Sequence, residues 1–131
     1  MTKIISHYLI SLIIFLAIDL VWLGMVAKNI YQQQLGQLMR PNPNWLAAII
    51  FYAIYVVGIL VFIVYPYQQN LTKVLLMGAL FGFIAYATFD LTSLAVIKNW
   101  PLKMTIIDLI WGAVLTGSVA ILSAKVLSFF K

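Results

Sequence analysis

Apolar residues run through this chain in four long blocks separated by three short polar connectors. The blocks extend from about Ile4 to Ala27, Trp45 to Tyr65, Lys73 to Ile97 and Leu102 to Leu127. Each is long enough to cross a hydrocarbon core of about 30 Å, which takes roughly 20 helical residues. Backbone groups in lipid must be paired within their own segment, so each block is expected to be a helix. Asn44 is suited to cap the second span and Pro66 to stop it, while Pro101 suits the first turn of the fourth. The connector from Tyr67 to Thr72 is short enough to make spans 2 and 3 an antiparallel hairpin.

Between spans 1 and 2 the pattern changes. Tyr31, Leu35, Leu38 and Met39 recur at i, i+4, i+7 and i+8, with Gln32, Gln33, Gln34 and Gln37 on the other side. That is a short amphipathic helix, lying in the interface or extending span 1 and ended by Pro41 and Pro43. It could act as a lid over a cavity, but a surface helix anchoring the first connection is the simpler reading. In span 3, Gly78 and Gly82 are four residues apart and allow another helix to come close. They serve either packing within the chain, the favoured reading, or a homodimer contact.

Composition agrees with the pattern. The chain has 131 residues, 65% of them hydrophobic and 8% charged, with mean hydropathy +1.08. The expected fold class is an all-α membrane protein, a bundle of four transmembrane helices forming a single domain over residues 1–131. There is no cysteine, which excludes a disulfide framework and thiolate metal sites, and the single His7 excludes a multi-histidine metal or haem site. No metal and no cofactor is called for. The net charge of +5 comes from cations scattered over connectors and helix ends. These suit lipid headgroups and offer no basic face for nucleic acid. Lys3 before an apolar run resembles a signal peptide, but Asp19 interrupts that run and no small-x-small site precedes Lys28, so an uncleaved first span is expected.

The candidate chemistry lies in the acids. Only Asp19, Asp90 and Asp108 are present, with no glutamate, and each falls inside an apolar block. An Asp in hydrocarbon costs roughly 2.5 to 3.5 kcal/mol on insertion scales and is by default a candidate functional residue. With four spans both termini share one face of the membrane, face A, and the first and third connectors share face B. Counted from Lys28, Lys98 and Lys103, the acids lie at depths of roughly 14, 12 and 8 Å from face B at 1.5 Å per residue. Trp22, Trp45, Trp100 and Trp111 fall in the same half, as do Thr88, Thr92, Ser93 and Thr105. Three carboxyls at matched depth cannot all ionise cheaply if they are close, and the cluster would hold a proton or take up a cation. The alternative is structural, each Asp accepting a hydrogen bond from a neighbouring Trp, Thr or Lys. The expected ligand-binding set is Asp19, Asp90, Asp108, Trp22, Trp111, Thr88, Thr92 and Ser93. The connector cations divide four to each face, so the positive-inside rule leaves the orientation open.

Two internal echoes stand out. Asp19-Leu-Val-Trp22 resembles Asp108-Leu-Ile-Trp111, and Asp19 through Lys28-Asn29 parallels Asp90 through Lys98-Asn99, which raises the possibility of two similar helical hairpins.

The segments DLVWLG (Asp19 to Gly24), FYAIY (Phe51 to Tyr55), TFDLTSL (Thr88 to Leu94), the Trp100-Pro101 pair and DLIWG (Asp108 to Gly112) resemble a family of small four-span bacterial membrane proteins classed as a domain of unknown function. The resemblance covers almost the whole chain, although Ser93 stands where Asn is expected. It implies a multi-pass protein of the bacterial inner membrane and carries no activity or substrate. Three functions compete. The first is binding or transport of a proton, a cation or an amphipathic small molecule in an acid-lined, Trp-walled pocket. The second is a structural or accessory subunit. The third is an intramembrane hydrolase using two acids as a shared-proton dyad. The chain lacks the Asn-x-x-Asp-Arg type motif of the lipoprotein signal peptidases, and its only arginine, Arg40, lies in a connector.

Overall fold

The computed structural model describes residues 2–39, 42 and 44–129. Among them every regular element is helical. The order is α1 (Thr2–Val21), a π-helical segment (Trp22–Ala27), α2 (Lys28–Leu35), a 3-10 turn (Gly36–Leu38), α3 (Trp45–Ile59), a second π segment (Leu60–Val64), α4 (Tyr65–Tyr67), α5 (Leu71–Val96) and α6 (Leu102–Ser128). Four stretches are long and apolar enough to cross a membrane: Thr2–Met25, Trp45–Tyr67, Leu71–Val96 and Leu102–Ser128. They are spans 1 to 4.

Polarity is distributed as lipid dictates. Large aliphatic and aromatic side chains such as Ile13, Leu46, Phe62 and Ile110 are exposed on the outside, whereas Ser11, Asp19, Asp90, Ser93, Thr105, Asp108, Thr116 and Ser123 are buried. Lipid tails are as apolar as a leucine core, so burying aliphatic surface between helices gains little there. Close packing and polar contacts between helices must hold the bundle instead. Asn44 caps α3 as expected, its Oδ1 accepting from Ala47 N at 3.2 Å. Asn70 does the same for α5 at Lys73 N (3.2 Å), which moves the start of span 3 two residues ahead of the expected Lys73.

One expectation is corrected. Pro66 does not stop span 2: the helix continues through it to Tyr67. The π segment just before it, where Tyr65 N–H bonds back to Leu60 O, widens the turn that the proline ring would otherwise strike. Of the two readings of the amphipathic stretch, the structure takes the second, an extension of span 1. It is α2, joined to span 1 through the first π segment with helical backbone at both junctions. Pro41 and Pro43, its expected stops, lie outside the described residues.

The tightest contact is between α5 and α6, whereas α1 and α3 are packed more loosely. The two hairpins are thus unequal in packing. Gly78, Gly82, Tyr86 and Asp90, at four-residue spacing on α5, face Ala120, Thr116, Gly112 and Asp108, at the same spacing on α6. A Cβ on Gly78 would sit 2.9 Å from Ala120 Cβ; one on Gly82 would collide with the Gly112 carbonyl oxygen and lie 2.5 Å from Thr116 Oγ1. The glycine pair therefore serves packing within the chain. On the face A side of the cavity described below, the interior is filled by Phe15, Val56, Ile59, Leu115 and Val119, all fully buried. Here Tyr55 Oη and Thr116 Oγ1 share a buried hydrogen bond of 2.7 Å between spans 2 and 4.

Gly82→Ala should cost about 1–3 kcal/mol or more of unfolding free energy through overpacking. Gly24→Ala, where a Cβ meets nothing within 4 Å, serves as the control in the same detergent unfolding assay. The span 3–4 turn gives a second prediction. Asn99 has φ 62°, so Asn99→Val should lose about 1–2 kcal/mol while Asn99→Gly should be nearly neutral in that assay.

Candidate functional site

In the face B half the four spans leave a cavity of about 290 Å³ that all three acids line. Asp19 comes from span 1, Asp90 from span 3 and Asp108 from span 4, and each is buried. The α5–α6 stripe explains the closest pair. Asp90 lies eight residues beyond Gly82 and Asp108 four residues before Gly112, on the same facing stripes. The approach set by the glycines therefore brings the two carboxyls close enough to interact directly. Tyr86, packed against Gly112, forms the floor between them and the mid-membrane contacts.

The echoing Asp-x-x-Trp segments prove to be partners. Spans 1 and 4 run in opposite directions, so Trp22 lies toward face B from Asp19 while Trp111 lies deeper than Asp108. Trp22 thus comes near the level of Asp108, and Trp111 near that of Asp19. Trp111 Nε1 donates to Asp19 Oδ1 at 3.4 Å, and Trp22 and Trp111 stack with ring centroids 4.3 Å apart at 10°. Trp22 Nε1 donates to Tyr31 Oη at 3.4 Å, and Tyr31 Oη donates to Asp108 Oδ1 at 2.5 Å. Each tryptophan therefore serves the other segment's acid, one directly and one through Tyr31. Tyr52 of span 2 lies beside Asp19 as well.

Tyr31 reaches this site because of the π segment. A straight helix would carry it about 18 Å past Asp19 along the axis, yet both line one cavity. The π turn Trp22–Ala27 is the irregularity between them, and helix axes change direction at such turns. Leu35, one turn further along α2, also lines the cavity, so α2 covers its face B end. Burial, and then the Asp108 carboxyl it faces, push the Tyr31 hydroxyl above the ordinary phenol range, which keeps it a donor at physiological pH.

Asp90 differs from the other two. It is 0% exposed, and neither of its oxygens has a hydrogen-bond partner among the described residues. Trp100 lies beside it, but the indole Nε1 is also without a partner of good geometry. Among the described residues the three carboxyls do not converge as ligands of one metal ion. The site is a close Asp90–Asp108 pair, with Asp19 bonded on its own to Trp111.

Of the residues expected at the site, Asp19, Asp90, Asp108, Trp22 and Trp111 line the cavity. Thr88 and Thr92 do not. Both are exposed, and the Thr88 hydroxyl donates to the Ile84 carbonyl of its own helix at 2.8 Å. At 3.6 residues per turn, positions two before and two after an inward-facing Asp90 must face away from the cavity. Ser93 is buried but is not part of the lining. Gly78 and Gly82 lie on the α5–α6 contact. The lining also includes Tyr31, Tyr52, Tyr86 and Trp100, outside the expected set. Tyr86 could have been found from its place between Gly82 and Asp90 at four-residue spacing; Tyr31 depends on a helix irregularity that no residue pattern signals.

These features define a multi-pass helical membrane protein. The chain belongs to the family described as "Predicted membrane protein (DUF2177)", whose model matches residues 4–125 and whose function is unknown. Neither the curated proteins nor the solved structures yield a match.

The Tyr31–Asp108 bond can be tested by a double-mutant cycle. Tyr31→Phe should lower unfolding free energy by about 0.6–1.7 kcal/mol, the range of interhelical hydrogen bonds in membranes. Combined with Asp108→Asn the losses should fall short of additive, which measures the coupling directly.

Proposed function

We propose that the protein is a membrane-embedded binding protein whose cavity takes an organic cation, the ammonium group sitting against Asp90 and Asp108 and between aromatic walls. The observation that carries this reading is Asp90, fully buried at the cavity wall with no well-placed donor on either oxygen among the described residues. A buried carboxyl without partners is costly, and the cost is relieved when a proton or a cation arrives. The surrounding rings favour a cation large enough to touch them. An ammonium over an indole or phenol face gains about 0.5 to 2 kcal/mol in addition to its attraction to the carboxylate. A bacterial inner membrane is the setting that the family resemblance implies.

A structural role is favoured for the other two acids by their own contacts. Asp19 accepts from Trp111, and Asp108 accepts from Tyr31. On this reading the three acids divide the work: Asp19 and Asp108 tie spans 1 and 4 together, and Asp90, assisted by Asp108, meets the ligand. Hydrolysis finds less support. A shared-proton dyad needs a positioned water and a stabiliser for the developing oxyanion, and the donors around Asp108 and Asp19 are already engaged with the acids themselves.

Titration of the purified protein in nanodiscs with tetramethylammonium, followed by quenching of tryptophan fluorescence, tests the reading. Saturable binding is expected that weakens as the pH falls and the carboxyl pair takes up protons. Asp90→Asn should lower affinity at least about tenfold, a change of roughly 1.4 kcal/mol. The same variant should unfold at an equal or higher temperature than the parent, since it removes an uncompensated charge, whereas Asp108→Asn should unfold lower. Unchanged binding in both Asp90→Asn and Asp108→Asn rejects the proposal.

A further inference from the structure

Spans 2 and 3 are consecutive in the chain, yet they do not pack along their length. They meet at Phe81, whose ring stacks on Tyr55 with centroids 5.5 Å apart and lies 3.2 Å from where a Cβ on Gly58 would be. Toward face B they part, leaving a groove of about 370 Å³ lined by Phe51 of α3 and by Ala85, Tyr86 and Phe89 of α5. Three of these four residues, Phe51, Tyr86 and Phe89, also line the carboxyl cavity. Groove and cavity thus share a wall. Phe51 and Phe89 are 45% and 61% exposed toward the surface that faces acyl chains.

We propose that this groove is a lateral passage from the lipid leaflet to the carboxyls, and that the ligand is a cationic amphiphile with one hydrocarbon chain. Its ammonium head would sit at Asp90 and Asp108 while its tail lies between α3 and α5. The inference rests on the cation-binding reading above and adds the route and the ligand class. Charge and polarity are complementary along this path: carboxyls at the inner end, aromatic and aliphatic groups at the outer end, and no polar side chain other than the Tyr86 hydroxyl between Ala85, Phe51 and Phe89. The opposite approach, from water at face B, is covered by Tyr31 and Leu35 of α2. A small hydrophilic cation would have to displace the Tyr31–Asp108 bond to enter that way, whereas an amphiphile already dissolved in the leaflet arrives at the groove head first from the interface.

Moving an alkyl tail from lipid into an apolar groove exchanges one hydrocarbon environment for another and gains little free energy. The tail therefore determines where the ligand lies more than how tightly it is held, and the test must read location. The full chain in phosphatidylcholine nanodiscs is photolysed with a decyltrimethylammonium carrying a mid-chain diazirine, and the adducts are mapped by mass spectrometry. Adducts on Phe51, Ala85 and Phe89 are expected to exceed those on Ile54 and Ile110, which are more exposed to lipid than Phe51, by about fivefold, the ratio of a modest site preference. Excess unlabelled decyltrimethylammonium should erase that excess, and so should Asp90→Asn. Ala85→Trp, which fills the groove at its outer end, should reduce adducts on Phe51 and Phe89 in a protein whose unfolding temperature checks its integrity. Even labelling of all lipid-facing positions, with tetramethylammonium binding intact, overturns the lateral passage and leaves the cation site standing. Absence of saturable binding by either ammonium overturns both.

Discussion

The backbone contact between Gly82 and Gly112 governs the rest of the structure. Two helices at ordinary separation would hold their facing side chains apart; with no Cβ on either glycine, α5 and α6 approach until the Gly82 methylene touches the opposite carbonyl. Helices in lipid gain little from burying aliphatic groups, so this contact, rich in dispersion and in weak Cα–H···O interactions, supplies much of what holds spans 3 and 4 together. The same approach has a price two turns away. Asp90 and Asp108 lie on the same stripes, and a fold that brings the glycines into contact also brings these carboxyls together. Packing and an electrostatic cost are consequences of one geometry.

The remaining contacts moderate that cost unevenly. Asp108 receives the Tyr31 hydroxyl and Asp19 receives the Trp111 indole, so both are tied into bonds that also join span 1 to span 4. The antiparallel course of those spans turns a repeated Asp-x-x-Trp into a reciprocal pair, with the indoles stacked at the crossing. Asp90 receives nothing equivalent from the described residues. Its position on span 3 leaves it opposite Asp108 and away from the Trp22–Trp111 stack, which serves spans 1 and 4. The Trp100 indole beside Asp90 is not aligned to donate, and span 2 offers no nearer donor because it is parted from span 3 at that level by the groove.

Much of this arrangement was legible in the residues. Four spans, the Asn44 cap, the depth match of the three acids and the packing role of Gly78 and Gly82 follow from length, composition and spacing, because lipid imposes those constraints on any chain. The acids line one cavity, as their matched depth allowed. What spacing by depth alone misses is rotation about the helix axis. Thr88 and Thr92 have the right depth but point away from Asp90, whereas Tyr86, four residues before it, points inward. The two π segments were not legible either. One carries the helix through Pro66 and the other carries Tyr31 back over the cavity, and both depend on hydrogen bonds shifting by one residue, which no side-chain pattern marks. The Asp-x-x-Trp echo was visible, but its meaning required knowing that spans 1 and 4 are neighbours.

The shape of the interior also bears on what the cavity can do. On its face A side the bundle is closed by Phe15, Val56, Ile59, Leu115 and Val119, all without solvent exposure, and by the Tyr55–Thr116 bond that joins spans 2 and 4. A path across the membrane would have to unpack that core and break a buried hydrogen bond, at the cost of several side chains losing their contacts together. The face B end is covered by α2, tied to span 4 through the Tyr31–Asp108 bond. On the side between spans 2 and 3 the helices stand apart, and the lining of the groove there holds only the side chains of Phe51, Ala85, Tyr86 and Phe89, none of them bonded across it. Of the three directions leading away from Asp90, the one toward the acyl chains is therefore the least obstructed. On the proposed reading, a carboxyl with no donor among the described residues beside this route would exchange its neutralising cation with the membrane itself and not with the far compartment.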